Sequence, residues 1–166
     1  MKAPIPDSYW VEPGRLLAGE YPGAPAEADA RTKVQRFRDG GVTSLVDLTE
    51  AGESGLLPYE DLLEEGMRTT RLAIRDLEHP SEPEMVAILD RVDAELAAGE
   101  VVYVHCWGGV GRTGTVVGCW LVRHGDAPEE ALEKIAGWRR DTPDGRKRSP
   151  ETGAQRAFVH GWRAGR

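Results

Sequence analysis

Val101-Val102-Tyr103-Val104-His105-Cys106-Trp107-Gly108-Gly109-Val110-Gly111-Arg112-Thr113-Gly114 is the stretch that decides the reading. An apolar run over Val101–His105 predicts a buried strand. The largely apolar Thr113–Arg123 predicts a helix, and three glycines lie between the two. Glycines at that density let the loop curl so that successive backbone N–H groups converge, and such a nest at a helix N-terminus is an anion site. Arg112 closes the loop with a guanidinium fork suited to two oxygens of one phosphate. Cys106 opens it, where the same amides and the helix dipole favour the thiolate, the nucleophilic form of the side chain. One cradle would then both activate a nucleophile and hold the group it attacks.

Outward from this stretch, the pattern continues as strands between helices. Residues 1–14 are expected to form an irregular lead-in, followed by a short strand over Arg15–Ala18. A helix over 26–38 stops at Gly40-Gly41, and Val42–Leu48 is a compact apolar strand. Leu56–Glu65 is expected as a weak helix and Met67–Ile74 as a strand. Ser81-Glu82-Pro83-Glu84 is a helix opening with a capping box and a proline in the first turn. Behind it Met85, Ile88, Leu89, Val92 and Leu96 fall on one face, and Gly99 ends the helix. Two further helices are expected, Pro128–Arg139 capped by Asp126 with Glu129, and Pro150–Arg163 capped by Ser149. Strands without polar alternation suit a sheet covered on both faces. The expected fold is therefore α/β, a short, mostly parallel central sheet flanked by helices on both sides, in one domain over residues 1–166.

Composition narrows the function classes. The chain of 166 residues carries 21 basic and 28 acidic side chains, a net charge of −7. That balance argues against non-specific binding to nucleic acid or an anionic membrane. No apolar run approaches the ~20 residues of a membrane span, and residues 1–7 do not read as a signal peptide. Cys106 and Cys119 are too few for a disulfide framework, and a reducing cytosol is the expected compartment. Cys119, inside an apolar helix, reads as core. His105 beside Cys106 lacks companions at metal-ligand spacing, so no metal or other cofactor is expected.

His105-Cys106, five residues, then Arg112-Thr113 resembles the signature of the cysteine-dependent phosphatases, the protein tyrosine and dual-specificity phosphatases. The resemblance extends to Pro13–Gly23, which looks like the opening segment of small dual-specificity members, and to Val42–Thr49, which looks like their second strand. It implies a phosphotyrosine-phosphatase-like fold and hydrolysis of phosphotyrosine, with phosphoserine and phosphothreonine as further substrates, through a cysteinyl phosphate. It implies Cys106 as nucleophile and Trp107, Gly108, Gly109, Val110, Gly111 and Arg112 as the phosphate cradle. Asp76, 30 residues before Cys106, matches the general acid of small members, although the Trp-Pro-Asp triplet of tyrosine-specific ones is absent and Glu78 competes for the role. Thr113 is implied as a donor to the cysteine sulfur and His105 as a support of the loop.

Near the C-terminus Thr152–Phe158 resembles a Thr-x-x-Gln-Tyr-x-Phe stretch of tyrosine-specific members. That implies that Gln155 orients water, but Glu151 and Arg156 stand where those members carry Gln and Tyr. The same chemistry on a phosphoinositide, inositol phosphate or RNA 5′ phosphate is the nearest alternative, disfavoured by a loop without lysine. A non-catalytic phosphate-binding module, a sulfurtransferase and an arsenate reductase remain as different classes. Arg139-Arg140 and Arg146-Lys147-Arg148 read either as a solvated loop or as a basic border to the site.

Overall fold

A computed structural model describes residues 1–166. Its sheet runs β1-β2-β5-β3-β4 and is parallel throughout except for β1. The strands are β1 (Ser8–Glu12), β2 (Leu16–Gly19), β3 (Ser44–Asp47), β4 (Arg68–Arg71) and β5 (Val102–His105). The helices are α1 (Glu27–Asp39), α2 (Glu82–Ala97), α3 (Arg112–Arg123), α4 (Pro128–Arg139) and α5 (Gly153–Gly161). The mixed α/β architecture is the one expected.

Period-two alternation explains how one short sheet serves two cores. Leu16, Ala18, Val46, Val102 and Val104 face the larger core with the apolar sides of α2, α3, α4 and α5. Their neighbours Leu17, Leu45 and Tyr103 face a smaller one built on Phe37 of α1, Tyr21 and Tyr59. β5 lies between β2 and β3, so its C-terminal end, where Cys106 follows, opens at the centre of the sheet. In parallel α/β sheets that end is where ligands bind.

Several expectations are corrected. The lead-in is not irregular: Ser8–Glu12 is an antiparallel edge strand on β2, because Tyr9 and Val11 fill the larger core and Trp10 the smaller. Leu56–Glu65 is not a helix and keeps only a 3₁₀ turn at Glu60–Leu62; Pro58 pushes Leu57 out of helical backbone geometry. β4 is shorter than Met67–Ile74, although Leu72 and Ile74 still donate to the Asp47 and Leu48 carbonyls. Ala127, not Asp126, precedes α4, since the Asp126 carboxylate is taken by Lys134 at 2.8 Å. α5 starts at Gly153, capped by Thr152 rather than Ser149; the Ser149 hydroxyl donates instead to the Val110 carbonyl at 2.7 Å. The capping box of Ser81 and Glu84 on α2 forms as the sequence indicated.

Candidate active site

The loop from Cys106 to Gly111 is shaped by what holds its carbonyls. The Trp107 carbonyl accepts from Tyr21 N–H at 2.8 Å, just beyond β2. The Val110 carbonyl takes Ser149, and Gly111 takes the backbone and hydroxyl of Thr115. The amides are treated the opposite way: no N–H from Trp107 to Gly111 donates to any protein acceptor. Buried amides are almost always paired, and Gly109, Val110 and Gly111 are buried. Five consecutive free donors are thus a built anion cradle. Gly109 makes the curl possible, with φ +66° and its Cα packed so tightly on β2 that a Cβ would lie 2.4 Å from the Gly19 carbonyl carbon.

Arg112 is 1% exposed at its side chain and heavily anchored. Its Nη1 and Nη2 donate to the two oxygens of Glu53 at 2.7 and 2.8 Å, and Nη1 also to the Ile74 carbonyl at 3.1 Å. Its Nε, buried, has no partner. Burial opposes the Arg112 charge, but Glu53 more than offsets it and holds the guanidinium above its ordinary pKa. Reciprocally, the hydrogen bonds from Arg112 hold the Glu53 carboxyl below the usual glutamate value. The pair fixes the fork while leaving one edge open toward the loop.

The structure brings Asp76 to this centre. Its Oδ1 lies 3.1 Å from Arg112 Nη2, with the side chain 54% exposed. Glu78, the competing acid, instead faces Arg75 at 3.4 Å. The segment carrying Asp76 is clamped to α5: Thr152 Oγ1 donates to the Leu77 carbonyl and Gln155 Nε2 to the Glu78 carbonyl at 3.0 Å. His79 stacks on Phe158 at 4.4 Å. Leu77 has φ +63°, the one non-glycine residue in the left-handed region, a conformation that persists only where surroundings enforce it.

Gln155 is fully buried and sits over Gly111, and most of its amide is engaged. Its Oε1 accepts from the Glu151 and Thr152 amides, and Nε2 gives one of its two hydrogens to the Glu78 carbonyl, which leaves one N–H to donate. The side chain therefore tethers the segment that carries Asp76 to α5. Thr113 Oγ1 is buried without any hydrogen-bond partner, the Cys106 sulfur included.

His105 supports the loop through a relay. The Cys106 carbonyl can only accept, so Nδ1 carries the proton and donates to it at 3.2 Å, while Nε2 accepts from the Tyr59 hydroxyl at 2.7 Å. Burial lowers the His105 pKa to about 4, keeping the ring neutral. Asp47 is structural, accepting from Thr49 and Arg71. Burial pushes the Cys119 thiol up, in keeping with a core role.

Two contributors were missed in the sequence. Glu53 is one of several acids in a loop, with no local signal to distinguish it from Glu50 or Glu60. Gly55 lies under Trp107, where a Cβ would meet the indole at 2.9 Å; its packing couples the Glu53 loop to the catalytic one.

Residues 6–159 match the family model described as PTP-SAK, Swiss Army Knife protein, DSP-PTPase phosphatase domain. The chain belongs to this family. Relatives of the DSP-PTPase domain include the dual specificity protein phosphatase CDC14AB of Danio rerio, 29% identical over 133 residues, covering 71% of this chain and 19% of that protein. The phosphatidylglycerophosphate phosphatase PTPMT1 of Arabidopsis thaliana is 30% identical over 105 residues, covering 59% of this chain and 29% of that one. The chain thus spans less than a third of the length of either. The crystal structure of Tk-PTP in the active form superposes with a TM-score of 0.70 at 26% identity, covering 93% of this chain and 94% of that one. The chain is accordingly a DSP-PTPase phosphatase domain of the dual-specificity type.

Proposed function

We propose that the chain is a protein phosphatase that hydrolyses phosphotyrosine, and secondarily phosphoserine and phosphothreonine, through a cysteinyl phosphate on Cys106. The observation that carries this reading is the loop itself: five unpaired amides and the free Nε of Arg112, arranged beside the Cys106 side chain. Negative charge spread over the three equatorial oxygens of a transferring phosphoryl group is what such a preorganised set of donors stabilises.

In the first step Cys106 Sγ attacks phosphorus and the bond to the ester oxygen breaks. Asp76, protonated, gives its proton to that oxygen. Incoming phosphate competes for Arg112, which releases Asp76 from its 3.1 Å contact and frees it to turn toward the leaving group. In the second step water attacks phosphorus, Asp76 takes its proton, and the S–P bond breaks to regenerate the thiolate. Thr113 Oγ1, which has no partner in the resting site, turns to donate to the sulfur as it departs. Gln155 contributes by holding the backbone beside Asp76.

Tyrosine is preferred because the rim of the site is apolar. Trp107, Leu77 and Leu57 are three of the four exposed large hydrophobic side chains in the chain; Trp107 is on the loop and Leu77 follows Asp76. An aryl ring uses that surface and an alkyl phosphate ester uses less of it. A phospholipid monoester is the second reading, favoured by the similarity to PTPMT1, a phosphatidylglycerophosphate phosphatase.

The test is hydrolysis of para-nitrophenyl phosphate in chelator by wild type and Cys106→Ser. It is followed by kcat/KM on matched phosphotyrosine, phosphoserine and phosphothreonine peptides and on phosphatidylglycerophosphate. Turnover lost in the variant, with the phosphotyrosine peptide the best substrate, is expected. A higher kcat/KM on the lipid overturns the protein-substrate reading.

A further inference from the structure

Trp107 forms one wall of a cavity of about 270 Å³ that the chemistry at Cys106 does not use. Tyr21, Gly23 and Ala24, which follow β2, form a second wall, and Leu56 and Leu57 of the loop that carries Glu53 form a third. Neither Asp76 nor Leu77 lines it. Two of the four exposed large hydrophobic side chains of the chain meet here, Leu57 at 54% and Trp107 at 47% exposure. A lone exposed apolar side chain is ordinary, but apolar side chains gathered around a concavity mark a place where a partner group gains by leaving water.

The walls are held in place. Gly23 comes so close that a Cβ there would lie 2.6 Å from Tyr21 Cε1 and 2.8 Å from the Leu57 carbonyl oxygen, which docks the Glu53 loop onto the segment after β2. Tyr21 is buried, and its N–H holds the Trp107 carbonyl at 2.8 Å. The two charged groups on the lining cancel each other: Lys33 of α1 pairs with Glu20 at 2.7 Å and also donates to the Tyr21 carbonyl at 3.2 Å. The cavity thus presents apolar walls and no free charge, directly beside a cradle built for an anion.

Consecutive Cα atoms are about 3.8 Å apart, so the Trp107 wall begins one residue from the nucleophile. An extended peptide advances about 3.3–3.6 Å per residue, and a residue within two positions of the phosphotyrosine reaches the cavity while the phosphate stays in the cradle. The volume is below the roughly 300–1,000 Å³ of sites that enclose a whole small-molecule ligand, and it suits a single side chain. We propose that this cavity is a specificity pocket, and that it takes an uncharged aliphatic side chain of the size of Leu from a residue flanking the phosphotyrosine of the substrate. The proposal rests on the phosphopeptide reading above and narrows its substrate class to phosphotyrosine segments with an apolar neighbour.

The experiment compares kcat/KM on phosphotyrosine peptides of one sequence, with Leu, Ala, Asp or Lys placed in turn at each of the two positions on either side. Wild type should favour Leu over Ala at one of these positions about 10- to 100-fold, mainly through KM. The advantage should persist from low to high salt, since no charge is involved. Ala24, half-buried on the cavity wall, is the site of both variants. Ala24→Phe fills the cavity and should abolish the advantage, whereas Ala24→Glu should lower kcat/KM for Leu and raise it for Lys at the same position. Both should keep wild-type turnover of para-nitrophenyl phosphate, which has no flanking residue. If the phenylalanine variant unfolds, the glutamate variant decides. Phosphotyrosine peptides turned over without any preference for Leu, or a preference that survives in the folded variants, overturns the pocket and leaves the phosphopeptide reading standing. Phosphatidylglycerophosphate turned over faster than every peptide overturns that reading and the pocket with it.

Discussion

Replacing Glu53 with glutamine removes one charge and tests whether the Arg112 fork is held from behind. Glu53 is 10% exposed at its side chain and meets a guanidinium that is 1% exposed, so the pair is of the buried kind. Breaking such a pair by removing one partner costs about 3–5 kcal/mol. The variant keeps one hydrogen-bonding oxygen, and Arg112 retains the Ile74 carbonyl and Asp76, which places the loss near the low end, at about 2–3 kcal/mol. At about 2–4 °C per kcal/mol for a chain of this size, Tm should fall by about 4–12 °C.

The pH dependence carries a sign. The Glu53 carboxyl sits below its ordinary value when folded, with the hydrogen bonds from Arg112 the largest cause. Its contribution is therefore complete above the unfolded-state pKa and is lost as pH falls through the lower folded-state value. Wild type and variant should converge in stability at acid pH. In kinetics, Arg112 freed from Glu53 shifts toward Asp76, so kcat on an alkyl phosphate should fall more than kcat on para-nitrophenyl phosphate. Thermal unfolding from pH 3 to 8, with both substrates assayed on the same preparations, tests the argument. A variant with wild-type Tm at pH 7 and unchanged kcat on both substrates would falsify the role given to Glu53.

Asp76→Asn should lower kcat on phosphotyrosine peptides by roughly 10²–10⁴ and much less on substrates with a better leaving group; if Glu78→Gln does so instead, the acid is misassigned. His105, neutral with a pKa of about 4, should make the fold lose stability as pH falls from the unfolded histidine value near 6.5 to about 4, by on the order of 3 kcal/mol. Denaturant titrations across that window should show this slope in wild type and not in His105→Asn. Gly109→Ala places a Cβ 2.4 Å from the Gly19 carbonyl carbon at φ +66°; activity should fall by at least tenfold, and a crystal structure with an unmoved loop would refute the packing argument. Gln155→Ala should slow poor leaving groups more than good ones, because the Asp76 segment loses its 3.0 Å tether. An equal effect on both would return Gln155 to a water-orienting or purely structural part.

What was legible in the sequence is what local chemistry determines. The strand before Cys106, the glycines after it and the helix behind Arg112 each follow from residues within a few positions, and the structure assembles them at the end of β5. The capping box on α2 is equally local, Ser81 and Glu84 being three residues apart. Asp76 was reachable only through the spacing of a known family, since no neighbour marks it as an acid.

What escaped is what tertiary packing determines. Glu53 acquires its meaning from Arg112, 59 residues away in sequence, and a loop rich in glycine and glutamate reads the same whether or not such a partner exists. Trp10 on β1 looked like part of a lead-in because burial on both faces removes the polar alternation by which an edge strand is usually recognised. Gln155 is the most instructive case. Its position beside the loop agrees with the resemblance, yet the capping box with Thr152 takes its oxygen and the Glu78 carbonyl one of its two amide hydrogens. The same residue type at the same place thus also tethers the segment that carries Asp76. That tether belongs to a hydrogen-bond inventory that only the folded chain provides, since each amide group has a fixed number of bonds to give.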